Sequence, residues 1–329
     1  MEKQHLNKEI DKYNRRLNDL KAEIRKAVVG QEDVVDSLLK CILCRGHILF
    51  ESVPGLAKTF LVRVLTKTIK EASFQRIQFT PDLLPTDITG ITVYEEDKGF
   101  YTIKGPIFAN IVLADEINRS PPKVQSAMLQ AMQEREVTIG RETFPLPKPF
   151  MVLATQNPLE QQGVYPLALA QIDRFLFKVF ISYPKIEEEI QIIDQNADVV
   201  KMEDFGIKEV LGFDDIESMQ SITKMIHMSE EVKAYLLNIV EATRYPDKYG
   251  VQEGKYMQWG ASPRASINLA LGARATAFLN GRDYVTPDDV RDVAYPVLRH
   301  RVVLNYEGKA REVSPDKIIA SIIQKVPVI

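Results

Sequence analysis

The sequence predicts an α/β protein: an αβα core on a mainly parallel sheet, followed by a smaller all-α domain. Two observations carry this. Short apolar runs of strand length alternate with helical segments up to residue 184, as in a parallel sheet covered on both faces. After Ser182-Tyr183-Pro184 the strands give way to successive helical segments. A chain of 329 residues with 45% hydrophobic composition can fill two such cores.

In order, residues 6–26 read as a polar amphipathic helix, with Leu6, Ile10, Leu17, Leu20 and Ile24 near helical spacing. A second helix is expected over 31–44. Residues 47–51 form an apolar run of strand length, 52–57 a turn, and 58–70 a helix with Phe60, Leu61, Val64, Leu65 and Ile69 on one face. This is the first βα unit. Further strands are expected at 74–79, 111–115, 150–155 and 176–181. Residues 80–108 and 136–149, rich in Pro, Gly, Thr and charge, interrupt the alternation and read as insertions or hairpins. Helices are expected at 185–199, 214–225, 229–244, 263–280 and 287–299. Thr286 is a clear N-cap, with Pro287 at the first helical position and Asp288 and Asp289 in the first turn. The expected division is an N-terminal helix (1–27), a core (28–184) and a helical domain (185–329).

Composition narrows the function. With 42 Lys and Arg against 45 Asp and Glu, the net charge is −3. A protein that lives on phosphate backbones carries a basic excess or block, so nucleic acid is not the expected partner. No apolar stretch reaches the ~18 residues of a membrane span, and the charged N-terminus has no signal-peptide core. A cytoplasmic location without membrane association is expected. Cys41 and Cys44 form a lone C-x-x-C pair in an apolar run. Zinc needs about four ligands, so the pair reads as two small buried helix residues.

The strongest chemical signal is Ser52-Val53-Pro54-Gly55-Leu56-Ala57-Lys58-Thr59, set between a strand and a helix. A phosphate loop needs inward-facing N–H groups closed by a helix N-terminus. Lys58 would reach the outer phosphates and the Thr59 hydroxyl would bind Mg²⁺. The general pattern has Gly where Ser52 and Ala57 stand. Ala57 is expected to sit at the helix start without strain. Ser52 is expected to fit only at negative φ, or where the strain is absorbed. The plain alternative is an ordinary βα turn with a surface lysine.

Ile111-Val112-Leu113-Ala114-Asp115-Glu116 is an apolar strand ending in two acids. Carboxylates at the C-terminal end of a parallel strand face the ligand crevice. Asp115 would hold Mg²⁺ and Glu116 would accept a proton from the attacking water. Asn157, closing the strand before Pro158, is a candidate for orienting that water, or simply half of an Asn-Pro turn. Arg174 could act as an arginine finger on a neighbouring subunit's phosphate, or pair locally with Asp173. Ser262-Pro263-Arg264 reads as N-cap, first residue and a cation in the first turn. The helix dipole disfavours that cation, which suggests a phosphate-contacting task.

Together these residues resemble the MoxR group of AAA+ ATPases. The carriers are Val53-Pro54-Gly55-Leu56-Ala57-Lys58-Thr59, Leu113-Ala114-Asp115-Glu116-Ile117-Asn118-Arg119-Ser120-Pro121-Pro122, Ala154-Thr155-Gln156-Asn157-Pro158, Gln171-Ile172-Asp173-Arg174-Phe175 and Ser262-Pro263-Arg264. The resemblance runs from about 28 to about 304. It implies an AAA+ P-loop core with a helical lid, and ATP or ADP with Mg²⁺ as ligands. It implies Lys58 and Thr59 as Walker A, Asp115 and Glu116 as Walker B, Asn157 as sensor 1, Arg264 as sensor 2 and Arg174 as finger. Val28-Val29-Gly30 would lie against the adenine, and the nucleotide contacts would run on through Phe60. Residues 80–108 look like the insert that marks the branch shared with magnesium-chelatase ATPase subunits. The resemblance further implies a homo-oligomeric ring, often a hexamer, acting as a chaperone-like machine on client proteins, some with von Willebrand A domains. Ala57 is usual in such loops, whereas Ser52 departs from the family's Gly. A metal-insertion ATPase of the chelatase type, a DNA-remodelling motor and a nucleotide-binding scaffold are the rival readings.

Overall fold

The computed structural model describes residues 2–53, 55–158, 163–195 and 202–328. Two compact units emerge. The sheet-bearing unit holds residues 16–175 and 179–217; the helical unit holds 1–15, 176–178 and 218–329.

The first elements are helix α1 (Glu2–Arg25), α2 (Glu32–Leu43), strand β1 (Ile48–Glu51), α3 (Lys58–Lys67) and β2 (Phe74–Gln78). Next come α4 (Pro85–Thr89), β3 (Gly90–Glu95), β4 (Gly99–Lys104), β5 (Ile111–Asp115), α5 (Pro122–Glu134), β6 (Glu136–Ile139), β7 (Glu142–Pro145) and β8 (Met151–Gln156). They are followed by α6 (Leu169–Ile172), β9 (Phe177–Phe180) and α7 (Ile186–Gln195). The expected continuation of that helix over 196–199 lies outside the described residues. Among the described residues one sheet has five strands, in the order β2-β5-β8-β1-β9. The pairs of β5 with β2 and β8, and of β1 with β8, are parallel, as the alternation predicted. Every residue of β5 is buried, which is the mark of a strand covered on both faces. One of those faces packs Val112, Ala114, Val152 and Ala154 against Val124, Met128 and Leu129 of α5.

The two interruptions are antiparallel hairpins, β3 with β4 and β6 with β7. Residues 206–211 stay with the sheet unit for a visible reason. Val210 N–H donates to Thr68 O at 2.8 Å, and Lys70 N–H donates to Leu211 O at 2.8 Å. Arg16 of α1 also bonds Asp215 and the Val210 carbonyl.

The helical unit continues with α8 (Phe213–Met225), whose first turn lies in the sheet unit, then α9 (Glu230–Arg244), β10 (Met257–Trp259), α10 (Pro263–Leu279) and α11 (Pro287–Leu298). It ends with β11 (Val303–Leu304), α12 (Tyr306–Ala310) and α13 (Pro315–Lys325). These last helices lie beyond the helical segments expected from the sequence. The Thr286 cap forms: the Asp289 carboxylate accepts from Thr286 N–H at 2.7 Å and from its hydroxyl at 3.0 Å. Two bidentate ion pairs brace the unit, Arg282 with Asp289 and Arg299 with Asp316. Among the described residues no helix is long and apolar enough to cross a membrane.

One small correction concerns the cysteines. Cys41 is fully buried in α2, and burial pushes its thiol well above the usual range. Cys44 is instead the C-cap residue and only half-buried, because the helix closes at Leu43.

Candidate functional site

In a parallel sheet all strand ends of one kind share an edge. The register aligns Glu51 of β1 with Gln156 of β8, and Gln78 of β2 with Asp115 of β5. The segment Ser52–Ala57, the pair Asp115 and Glu116, and Asn157 therefore leave the sheet at the same edge. This edge is the expected ligand crevice of such a sheet.

The loop after β1 turns sharply into α3. Gly55 has φ of 86°, and a Cβ there would meet nothing within 4 Å, so its glycine serves the backbone rather than close packing. Ala57 has φ of 50° and ψ of 26°. The expectation of an unstrained alanine is thus corrected: it holds a left-handed conformation, costing about 1 kcal/mol. Ser52 is buried and is not among the positive-φ residues. Its hydroxyl accepts from Lys58 Nζ at 2.6 Å, and Val53 O accepts from the same nitrogen at 3.2 Å. Burial pulls the Lys58 ammonium below the ordinary lysine value, an effect opposed by Asp115 and Glu116. Leu56 is buried; Thr59 and Phe60 are half-buried in the first turn of α3, with Phe60 edge-on to Phe205 at 5.8 Å. Pro54 lies outside the described residues.

The acid pair is braced from two neighbouring strands. Arg76 donates to Asp115 Oδ2 from Nε at 3.0 Å and from Nη2 at 2.7 Å. Gln78 Nε2 donates to Glu116 Oε2 at 2.8 Å, and Arg119 Nη1 donates to the same oxygen at 3.0 Å. Arg76 and Gln78 are two apart on β2, hence on one face of the sheet. Consecutive strand residues point to opposite faces, yet both acids are met from that single face. The backbone explains it: Glu116 has φ of 56° and ψ of 50°, so the strand kinks at its end. Thr155 of β8 stands behind both acids. Its Oγ1 donates to Asp115 Oδ1 at 2.6 Å and accepts from Glu116 N–H at 2.8 Å.

Asn157 is buried directly after β8. Arg174 is half-buried at the end of α6. Val28 is buried, while Val29 and Gly30 are half-buried ahead of α2. Gly30 borders a cavity of about 440 Å³, also lined by Gln31, Val34, Ile181, Tyr183 and Pro184. With φ of 67° and the Glu188 carboxyl 2.7 Å from where a Cβ would sit, Gly30 admits no larger residue without rearrangement. Arg264 lies in the helical unit, in the first turn of α10, where Ser262 Oγ accepts from its N–H at 3.2 Å as the expected cap.

Sequence reading gave no role to Arg76, Gln78, Arg119, Thr155 or the 181–184 wall. One signal was present. Gln75-Arg76-Ile77-Gln78 is too polar for a strand buried on both faces, and β2 is in fact an edge strand.

The comparisons agree with this architecture. The model for the ATPase family associated with various cellular activities (AAA) matches residues 47–177, and that for the AAA lid domain matches 253–322. Chaperone MoxR1 of Mycobacterium tuberculosis is 46% identical over 306 residues, 92% of this chain and 80% of its own. Protein MoxR of Methylorubrum extorquens is 30% identical, over 93% of each chain. A crystallised protein of Cytophaga hutchinsonii superposes with a TM-score of 0.93 at 44% identity, covering 100% of this chain and 99% of its own. The chain belongs to the MoxR family of AAA+ ATPases.

Proposed function

We propose that this chain binds ATP with Mg²⁺ at the sheet edge and hydrolyses it, using the cycle to remodel client proteins. One observation carries the reading: the phosphate loop, the acid pair and Asn157 converge at one edge of the parallel sheet. The residues fit the ligands. The loop ends in the N-terminus of a ten-residue helix, and its open Gly55 leaves the backbone accessible, as phosphate binding asks. Mg²⁺ takes one or two protein oxygens and completes its shell with phosphate and water; Thr59 and Asp115 supply oxygens of that kind.

In this mechanism Lys58 leaves Ser52 and Val53 for the outer phosphates. Mg²⁺, held by Thr59 and Asp115, would neutralise charge on the phosphate oxygens. Glu116 accepts the proton of the attacking water, and Asn157 orients that water. Arg174 completes the site of the next subunit in a homo-oligomeric, proposed hexameric, ring. The Val28–Gly30 segment receives the adenine, and Arg264 of the helical lid senses the phosphate. The proposed boundaries are 1–27, 28–184 and 185–329. The insertion hairpins transmit the motion to clients, in the cytoplasm.

Glu116→Gln tests the reading. Turnover should fall at least 100-fold while ATP affinity stays within about threefold. Undiminished turnover would remove Glu116 from its role.

A further inference from the structure

Thr155 hydrogen-bonds both acids, and it bonds each in a different way. Its hydroxyl proton is committed to Asp115 Oδ1 at 2.6 Å. Its oxygen lone pair is committed to the backbone N–H of Glu116 at 2.8 Å. The side chain is only 1% exposed, so water does not compete for either bond. As a β-branched residue on a strand it has few χ1 choices, and the two bonds select one.

The Glu116 bond has particular weight. A non-glycine residue in the left-handed region is strained and persists only when its surroundings hold it there. Glu116 is such a residue. Its N–H, at a strand end, finds its partner in the Thr155 hydroxyl. The same kink brings Asp115 and Glu116 to one side of the sheet, where Arg76 and Gln78 meet them.

We infer that Thr155 is the positioning residue of this site: its hydroxyl fixes the Asp115 carboxylate and locks the kink that aims Glu116. Buried and bonded to both acids, it acts through them rather than on the reacting atoms. The inference rests on the reading of Asp115 and Glu116 as the acids of ATP hydrolysis. Its consequence is that loss of the hydroxyl damages the chemical step and spares binding, because Lys58 and the loop are held by other contacts.

The test compares Thr155→Val, nearly isosteric but without the hydroxyl, with Thr155→Ser, which keeps it. Steady-state turnover and equilibrium Mg·ATP binding are measured for both, beside wild type and Glu116→Gln, with melting curves as folding control. Misplacing a catalytic group by about 1 Å can cost ~100-fold in rate. Thr155→Val should therefore lose ~100-fold in kcat with ATP affinity within about threefold, and Thr155→Ser should recover to within about fivefold of wild type. If the valine variant does not fold, Thr155→Ala is judged by the same limits. A hydroxyl-free variant with kcat within about threefold of wild type overturns the inference. So does a serine variant as slow as valine, or affinity that falls in step with rate. Undiminished turnover in Glu116→Gln would instead sink the underlying reading of the acids, a result distinguishable from any of these.

Discussion

The phosphate loop and the acidic strand end occupy the same edge of the sheet, yet they are built in opposite ways. The loop is nearly self-contained: its key cation reaches back six and five positions to Ser52 and Val53. Its shape comes from local backbone choices at Gly55 and Ala57. The acid end is cross-braced from two other strands, by Arg76 and Gln78 on one side and Thr155 on the other. In the proposed mechanism the loop closes around a ligand, and among the described residues its contacts are mainly local. The acid end, which there aims two carboxylates, is held by its neighbours.

The largest effect expected from breaking this contrast is at Lys58. Lys58→Ala removes the loop's cation and, with it, a charge-assisted contact worth about 3 kcal/mol. ATP affinity should fall ~100-fold by titration calorimetry, while the melting temperature holds within a few degrees because the acid end has its own braces. A melting temperature that collapsed with the affinity would show the two regions to be one cooperative structure.

A second probe acts at the far end of the same strands. His47 is buried before β1; its Nδ1 accepts from Val152 N–H at 3.0 Å, and its other nitrogen lies 3.0 Å from Met132 O. Burial pulls its pKa down to about 4 from 6.5. The fold therefore prefers the neutral ring. Its contribution is complete above pH 6.5, shrinks as pH falls towards 4 while only the unfolded chain takes up the proton, and levels off below. The loss is up to about 3 kcal/mol. Denaturant titrations from pH 7 to 4 should show that slope, and His47→Gln should flatten it. An unchanged slope in the variant would place the acid sensitivity elsewhere.

The smallest expected effect sharpens the loop side. Ala57→Gly relieves a left-handed alanine and should raise stability by roughly 1 kcal/mol, a few degrees in melting temperature. A destabilised glycine variant would mean that the alanine Cβ makes a contact worth more than the strain.

The balance between legible and illegible follows from range. The placement of Lys58, Thr59, Asp115, Glu116 and Asn157 at strand ends was readable because each sits at a fixed offset from an apolar run. The helix starts at Thr286 and Ser262 were readable because caps are local chemistry. Ala57's strain was not, since nothing in a composition rule states which φ a loop residue takes.

By itself, the sequence determined the αβα class, the order of helices and strands, the hairpin interruptions and the residues at the strand ends. Each depends on neighbours within a turn or a strand's length. Only the tertiary structure decided which strands lie side by side. Setting β2 and β8 on the two flanks of β5 brought Arg76 and Thr155, 39 and 40 positions away, onto Asp115. Hydrogen bonds across adjacent strands depend on register and strand order, and neither is written in the spacing of residues along the chain.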